Sequence, residues 1–218
     1  MSTPIHRRTY DCEAFDEGDG RMRVRGHLND TKPLGLGLAD GEPLVIHDMT
    51  IDLIVTVPGF EIVAVETDMA VHPYRICTDV LPDYQQLVGL SIARGYSRKV
   101  RELFGGPNGC SHLGALLQAL GPVAIQASWS MLTLHDDPLA RLGDDDVSAE
   151  ERERRARMNA NTCHVWADGG AQMAMVDQGR SPLRPRWERA RLRQLGADLD
   201  DLDDLDDLDD LDDLDEAG

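Results

Sequence analysis

MTIDLIVTVPGFEIVAVETDMAV, residues 49–71, is the stretch whose reading decides the fold. Met49, Ile51, Leu53, Val55 and Val57 alternate with Thr50, Asp52 and Thr56; beyond them, Val63, Val65, Met69 and Val71 alternate with Glu66 and Asp68. Alternation with a period of two marks a half-buried strand, and Pro58-Gly59 between the runs supplies turn chemistry. The stretch therefore predicts an antiparallel hairpin with one oily face. Upstream, Met22, Val24 and Leu28 alternate with Arg21, Arg23, Arg25 and His27, which adds a third strand. Residues 1–20 read as an irregular arm, and TKPLGLGLADGEP, residues 31–43, as a loop. That loop is not a phosphate cradle, because no strand leads into it and no Gly-Lys-Ser follows.

An oily sheet face needs a cover, and the next segment carries helical spacing. Tyr84, Leu87, Val88 and Ile92 fall on one helical face; Gly95 interrupts, and Ser97 opens a short continuation with Val100, Leu103 and Phe104. After GGPNG, the residues Leu113, Leu116, Leu117, Leu120, Val123, Ala124, Ala127 and Met131 form a long apolar stripe. Ser111 is placed to cap this helix, and Pro122 to kink or restart it. Further on, SAEERERRARMNAN reads as a helix in which Ser148 and Glu151 form a capping box. NTCHVWADGGAQMAMV reads as a short hairpin turning at Asp168-Gly169-Gly170. The expectation is an α+β protein, a small antiparallel meander of about three strands covered by helices. One domain spans residues 1–178, with its core over 21–134 and a helical and hairpin appendage over 148–178. An arginine-rich segment and a low-complexity tail occupy 179–218.

The formal charge of −18 comes mostly from that tail, where thirteen acidic and no basic residues lie between Asp198 and Glu216; without them the chain carries −5. The body shows no basic face that would argue for nucleic acid. No apolar run reaches the roughly 18–20 residues of a membrane helix, and MSTPIHRRTYDCEAF lacks the apolar core of a secretory signal. The expected location is the cytoplasm, where Cys12, Cys77, Cys110 and Cys163 are free, reactive or metal-bound rather than paired. The Leu-Asp-Asp repeat drifts off any helical face and its charges repel, so disorder is expected. The sharper alternative is an electrostatic latch between the acidic tail and the arginines of residues 180–193.

The chemistry-bearing residues gather around HPYRIC, residues 72–77, and FGGPNGCSHL, residues 104–113. Cys110 lies just before a helix, where free N–H groups and the helix dipole favour a thiolate. His112 falls in the first turn, Cys77 follows the last strand, and His47 opens a strand with Asp48 beside it to orient the imidazole. His47, Cys77, Cys110 and His112 are the candidate metal ligands, and such sulfur and nitrogen donors suit zinc or iron. Cys110, His112, His47 and Asp48 are the candidate catalytic residues. Each has a plainer reading. The two cysteines make small buried hydrophobes, His112 a capping or surface residue, His47 a structural one and His72 a turn residue. Of Cys163-His164 at most one joins a site, since neighbours on a strand face opposite ways.

The runs DGRMRVRGHLNDTKP, IHDMTIDLIV, HPYRIC, LVGLSIARGYSRKVRELFGG, GCSHL and NTCH resemble the bacterial family of unknown function DUF2889, over about residues 5–178. That resemblance implies no established activity; it brings an association with the breakdown of aromatic compounds. Residues 44–127 also resemble NifU-like iron–sulfur scaffolds. These scaffolds order a meander, a ligand at a strand start, a cysteine after the last strand, and a cysteine and histidine opening a final helix. That likeness implies a NifU/SufE-like fold and places His47-Asp48, Cys77, and Cys110 with His112 at the three ligand positions. Here His47 replaces a cysteine, the order is Cys-x-His, and GGPNG stands where the scaffolds carry their partner-docking segment.

Three functions follow from these readings. The first is an enzyme acting on a small organic substrate, aromatic by the family resemblance, through lyase or hydrolase chemistry at a Cys/His site with or without metal. The second is a metal or iron–sulfur scaffold or carrier. The third is an interaction module with no catalytic role, whose acidic tail binds a basic partner.

Overall fold

The computed structural model describes residues 2–135, 139, 149–180, 182 and 185–197. The chain divides into two units, residues 1–134 and 135–218. In the first, four strands form an antiparallel meander in sequence order: β1 (Arg7–Gly18), β2 (Arg21–Lys32), β3 (Leu44–Thr56) and β4 (Ile62–Val71). The expected hairpin is β3 and β4, and the expected third strand is β2. The sheet has four strands, not three, because the arm is itself a strand. Arg7 to Asp16 pair residue by residue with Thr31 to Met22. As an edge strand β1 is mostly exposed; it pairs its backbone with β2, and its Cys12 and Ala14 pack against the core.

Register sorts the residues onto two faces. On β2, Met22, Val24, Gly26, Leu28 and Asp30 are buried in strict alternation with half-exposed neighbours. Their partners on β3 are Val55, Leu53, Ile51, Met49 and His47. This apolar face is covered by α2 (Ser111–Thr133), whose Leu113, Leu116, Leu117, Leu120 and Ala124 are sealed from solvent. Close approach depends on Gly26, where a Cβ would lie 2.8 Å from Leu116 Cγ and 3.0 Å from Leu120 Cδ2. The helix begins at Ser111 with Cys110, not Ser111, as its cap, and runs through Pro122 as one element.

Two local expectations give way for backbone reasons. The segment after β4 is a run of 3-10 turns over Arg75–Leu87 with Pro82 inside it, rather than an α-helix to Ile92. Proline brings no N–H and discourages the α-helical ladder, and Gly89 adopts a φ of 85°. The chain from Gly89 to Ile92 then bonds back to Phe60 and Ile62. The next helix, α1 (Tyr96–Phe104), starts after Gly95, ahead of the expected Ser97.

In the second unit α3 (Ala149–Arg157) matches the expected helix; its proposed cap, Ser148, lies outside the described residues. The expected hairpin over NTCHVWADGGAQMAMV is instead a 3-10 turn at His164–Trp166 followed by α4 (Ala171–Asp177). Asn161 takes a φ of 58°. It donates to Asp168 at 2.7 Å and accepts from the Asp168 N–H at 3.0 Å, closing the loop. The run AQMAMV that follows consists mostly of good helix formers. The arginine-rich segment contains α5 (Arg186–Gln194). The Leu-Asp-Asp tail, whose disorder was expected, lies outside the described residues. Among the described residues no helix is long and apolar enough to cross a membrane.

Candidate metal centre at the end of the covered face

The covered face of the sheet is apolar until its last row. There, alternation on β2 delivers a carboxylate, Asp30, and the paired position on β3 delivers His47. Asp30 is completely buried. Burying a bare carboxylate is costly, and four nitrogen atoms lie within hydrogen-bond distance of this one. Arg8, its partner on β1, donates from Nε to Oδ1 at 2.7 Å and from Nη2 to Oδ2 at 2.5 Å. His47 Nδ1 lies 2.9 Å from Oδ2, and His6 Nε2 lies 3.3 Å from Oδ1. The Arg8 guanidinium is the main reason the carboxyl group is lowered to about 2, against a burial effect of opposite sign. Asp30 is therefore an anion at any physiological pH.

The helix α2 brings the second imidazole. His112 stacks on His47 with ring centroids 3.8 Å apart, and its Nε2 lies 3.7 Å from Asp30 Oδ2. Burial, with smaller contributions from the neighbouring His47 and Arg8, pushes the His112 pKa down and favours the neutral ring that binds metals. Its other nitrogen, Nδ1, is 3.6 Å from Cys110 Sγ. Cys110 is itself pinned by its backbone N–H, which donates to the Tyr84 hydroxyl at 3.0 Å. Tyr84 stacks on Phe104 at 4.5 Å, and burial pushes its hydroxyl up to about 12.

Asp30, His47 and His112 each present a ligand atom within 4.8 Å of the other two, and they are the group among the described residues with metal-like spacing. Two of the expected ligands, His47 and His112, are thus brought together. Cys110 meets the cluster through His112, while Cys77 sits in the 3-10 segment against the apolar core; neither thiol belongs to the group of three. Asp48 faces the opposite side of the sheet, where it bonds His27 at 2.9 Å and Asn29 at 3.1 Å. The carboxylate that orients His47 is Asp30, not Asp48, since adjacent strand residues cannot share a face. His72 makes a turn contact, donating to the Tyr74 carbonyl at 2.9 Å. Cys163 and His164 lie in the second unit.

Asp30, Arg8 and His6 were missing from the sequence reading. The signal for Asp30 was present: the even-numbered register Met22, Val24, Leu28 continues to residue 30. The signal for Arg8 and His6 was faint: the alternation of Tyr10, Cys12 and Ala14 with Asp11 and Glu13 is short, and His6 precedes the strand.

The protein-family model that matches covers residues 6–126, from His6 through most of α2, and takes in every residue of the cluster. The chain belongs to the DUF2889 family, proteins of unknown function. No curated protein and no solved structure matches this DUF2889 chain. A groove of about 450 Å³ lies elsewhere on the first unit. It is lined by residues that include Cys12, Ala14, Met22, Val123, Ala127 and Met131, none from the cluster.

Proposed function

We propose that this DUF2889 protein is a metal-dependent enzyme acting on a small organic substrate, with a divalent ion held by Asp30, His47 and His112. One observation carries the reading. His47 Nδ1 and His112 Nε2 face the same oxygen, Asp30 Oδ2, at 2.9 and 3.7 Å. Ligands bonded to one ion at roughly 2.0–2.2 Å stand about 3–3.5 Å from each other, so the observed separations straddle what one ion between them requires. Two imidazoles and a carboxylate suit zinc or non-haem iron and leave coordination positions for water or substrate. The ion would polarise a substrate carbonyl or activate a water molecule for hydrolytic or lyase chemistry. Cys110, beside His112 Nδ1, would orient the ligand from outside the coordination sphere, as partners of ligating histidines do.

The test is metal analysis of untagged protein. One equivalent of zinc or iron per chain is expected in the wild type, with loss of most of it in Asp30→Asn and His112→Ala. Metal-free wild type that also fails to take up added zinc or ferrous ion would overturn the reading.

A second reading rests on the 3.6 Å contact between Cys110 Sγ and His112 Nδ1. In it Cys110 is a nucleophile at the start of α2, His112 takes its proton, and Asp30 steadies the imidazolium. Rapid alkylation of Cys110 at neutral pH in metal-free protein, abolished in His112→Ala, would favour this alternative. The iron–sulfur scaffold reading has less support, because no thiol joins the cluster of three.

A further inference from the structure

The charges around Asp30 do not balance once an ion is bound, and the surplus names the kind of substrate. In the cluster one carboxylate faces one guanidinium, so Asp30 is already neutralised by Arg8. A divalent ion adds two positive charges that no residue of the cluster offsets. The start of α2 does not offset them either, since it has no side-chain cap and no acidic residue in its first turn. Its free N–H groups add further positive potential. A surplus of this size in a partly desolvated site is unfavourable unless an anion enters with the ion.

The side chains also show where such an anion would dock. A guanidinium has two forked edges. The inner edge of Arg8, Nε and Nη2, is spent on Asp30. The outer edge, Nη1 and the second hydrogen of Nη2, makes one contact among the described residues, at 3.5 Å to the Tyr10 hydroxyl. Asp30 is sealed, but the Arg8 side chain is 33% exposed and that of His6 is 46% exposed. The approach from solvent is therefore lined by donors: Arg8, His6 and the Tyr10 hydroxyl.

We propose that the substrate is a small organic carboxylate, held by the outer edge of Arg8 and the Tyr10 hydroxyl beside the metal. This names the substrate class of the metal site and rests on that reading. The inner fork of Arg8 stays on Asp30, so one side chain holds the ligand-bearing carboxylate and recognises the incoming one.

The test uses the full chain loaded with the metal it binds, with propionate as probe and isosteric, neutral propionamide as control, read by ligand-observed NMR. Propionate is expected to bind at least about ten-fold more tightly than propionamide, and only to the metal-loaded protein. Arg8→Lys keeps a charge on Asp30 but cannot fork two carboxylates at once. It should retain metal and weaken propionate about ten-fold, and Tyr10→Phe should weaken it a few-fold. Equal binding of the two probes, or equal propionate binding by wild type and Arg8→Lys with metal retained, would overturn the proposal and leave the metal site standing. If Arg8→Lys loses metal, the wild-type comparison of the two probes decides alone. A wild type that takes up no metal removes both readings.

Discussion

Two aspartate–histidine pairs span β2 and β3 on opposite faces of the sheet. Asp30 and His47 occupy the covered face, with side chains 0% and 12% exposed; Asp48 and His27 occupy the open one, at 31% and 39%. Each pair makes a 2.9 Å contact. What separates them is surroundings. The open pair is wet, and its charges are screened by solvent. The covered pair is dry, so its carboxylate needs Arg8 and imidazoles to exist at all, and α2 adds His112 beside it. The difference shows why one pair is a candidate centre and the other a surface feature. Chemistry follows the face a residue occupies, and residue type alone does not decide it.

The comparison can be broken most forcefully at Arg8. Arg8→Ala strands a sealed carboxylate, which should cost about 3–5 kcal/mol in urea unfolding. A loss below about 1 kcal/mol would put the covered pair on the same footing as the open one. Next in size is Gly26→Val. Its side chain would collide with Leu116 and Leu120 and push α2 off β2, at about 1–3 kcal/mol. Because α2 carries His112, the same variant should also weaken metal uptake; unchanged stability and uptake would show that α2 is free to shift. Smaller again is Asp48→Ala on the open face, expected to cost no more than about 1 kcal/mol and to leave metal content unaltered. Any loss of metal there would mean that the two faces are coupled. Cys110→Ser should have the mildest structural effect, because the residue is only partly buried and its backbone N–H contact to Tyr84 survives. Metal should remain bound with lower affinity, by about 10-fold or more. Complete loss of the ion would make the thiol a ligand.

Much of this arrangement is legible in the sequence. Alternation in residues 49–57 and 63–71, and the stripe from Leu113 to Met131, marked two strands and the helix that covers them. His47 and His112 were recognisable because the alternation puts one where a strand is expected to open, although β3 begins earlier at Leu44, and the other in the first turn of a helix. What stayed hidden was held by forces that leave no pattern in hydrophobicity. β1 is a mostly exposed edge strand paired to β2, with only a short alternation at Tyr10, Cys12 and Ala14, so Arg8 gave no sign of its importance. Asp30 lies between the alternation that ends at Leu28 and the loop read over residues 31–43, and Asn29-Asp30-Thr31-Lys32-Pro33 has turn composition. Counting the alternation of β2 two residues further would have put it on the covered face. The same rule, applied to His47-Asp48, would have sent Asp48 to the opposite side. Cys77 drew attention by its position after the last strand, yet the turns it belongs to, around Pro82, place it against the core.

The central claim, that two imidazoles and one carboxylate at the end of the covered face hold a divalent ion, is tested most directly by X-ray absorption at the metal edge on the loaded protein. The account predicts a first shell of nitrogen and oxygen alone at about 2.0–2.2 Å, with the outer-shell signature of two imidazoles. Sulfur at about 2.3 Å in that shell, or an outer shell without the imidazole signature, would contradict it.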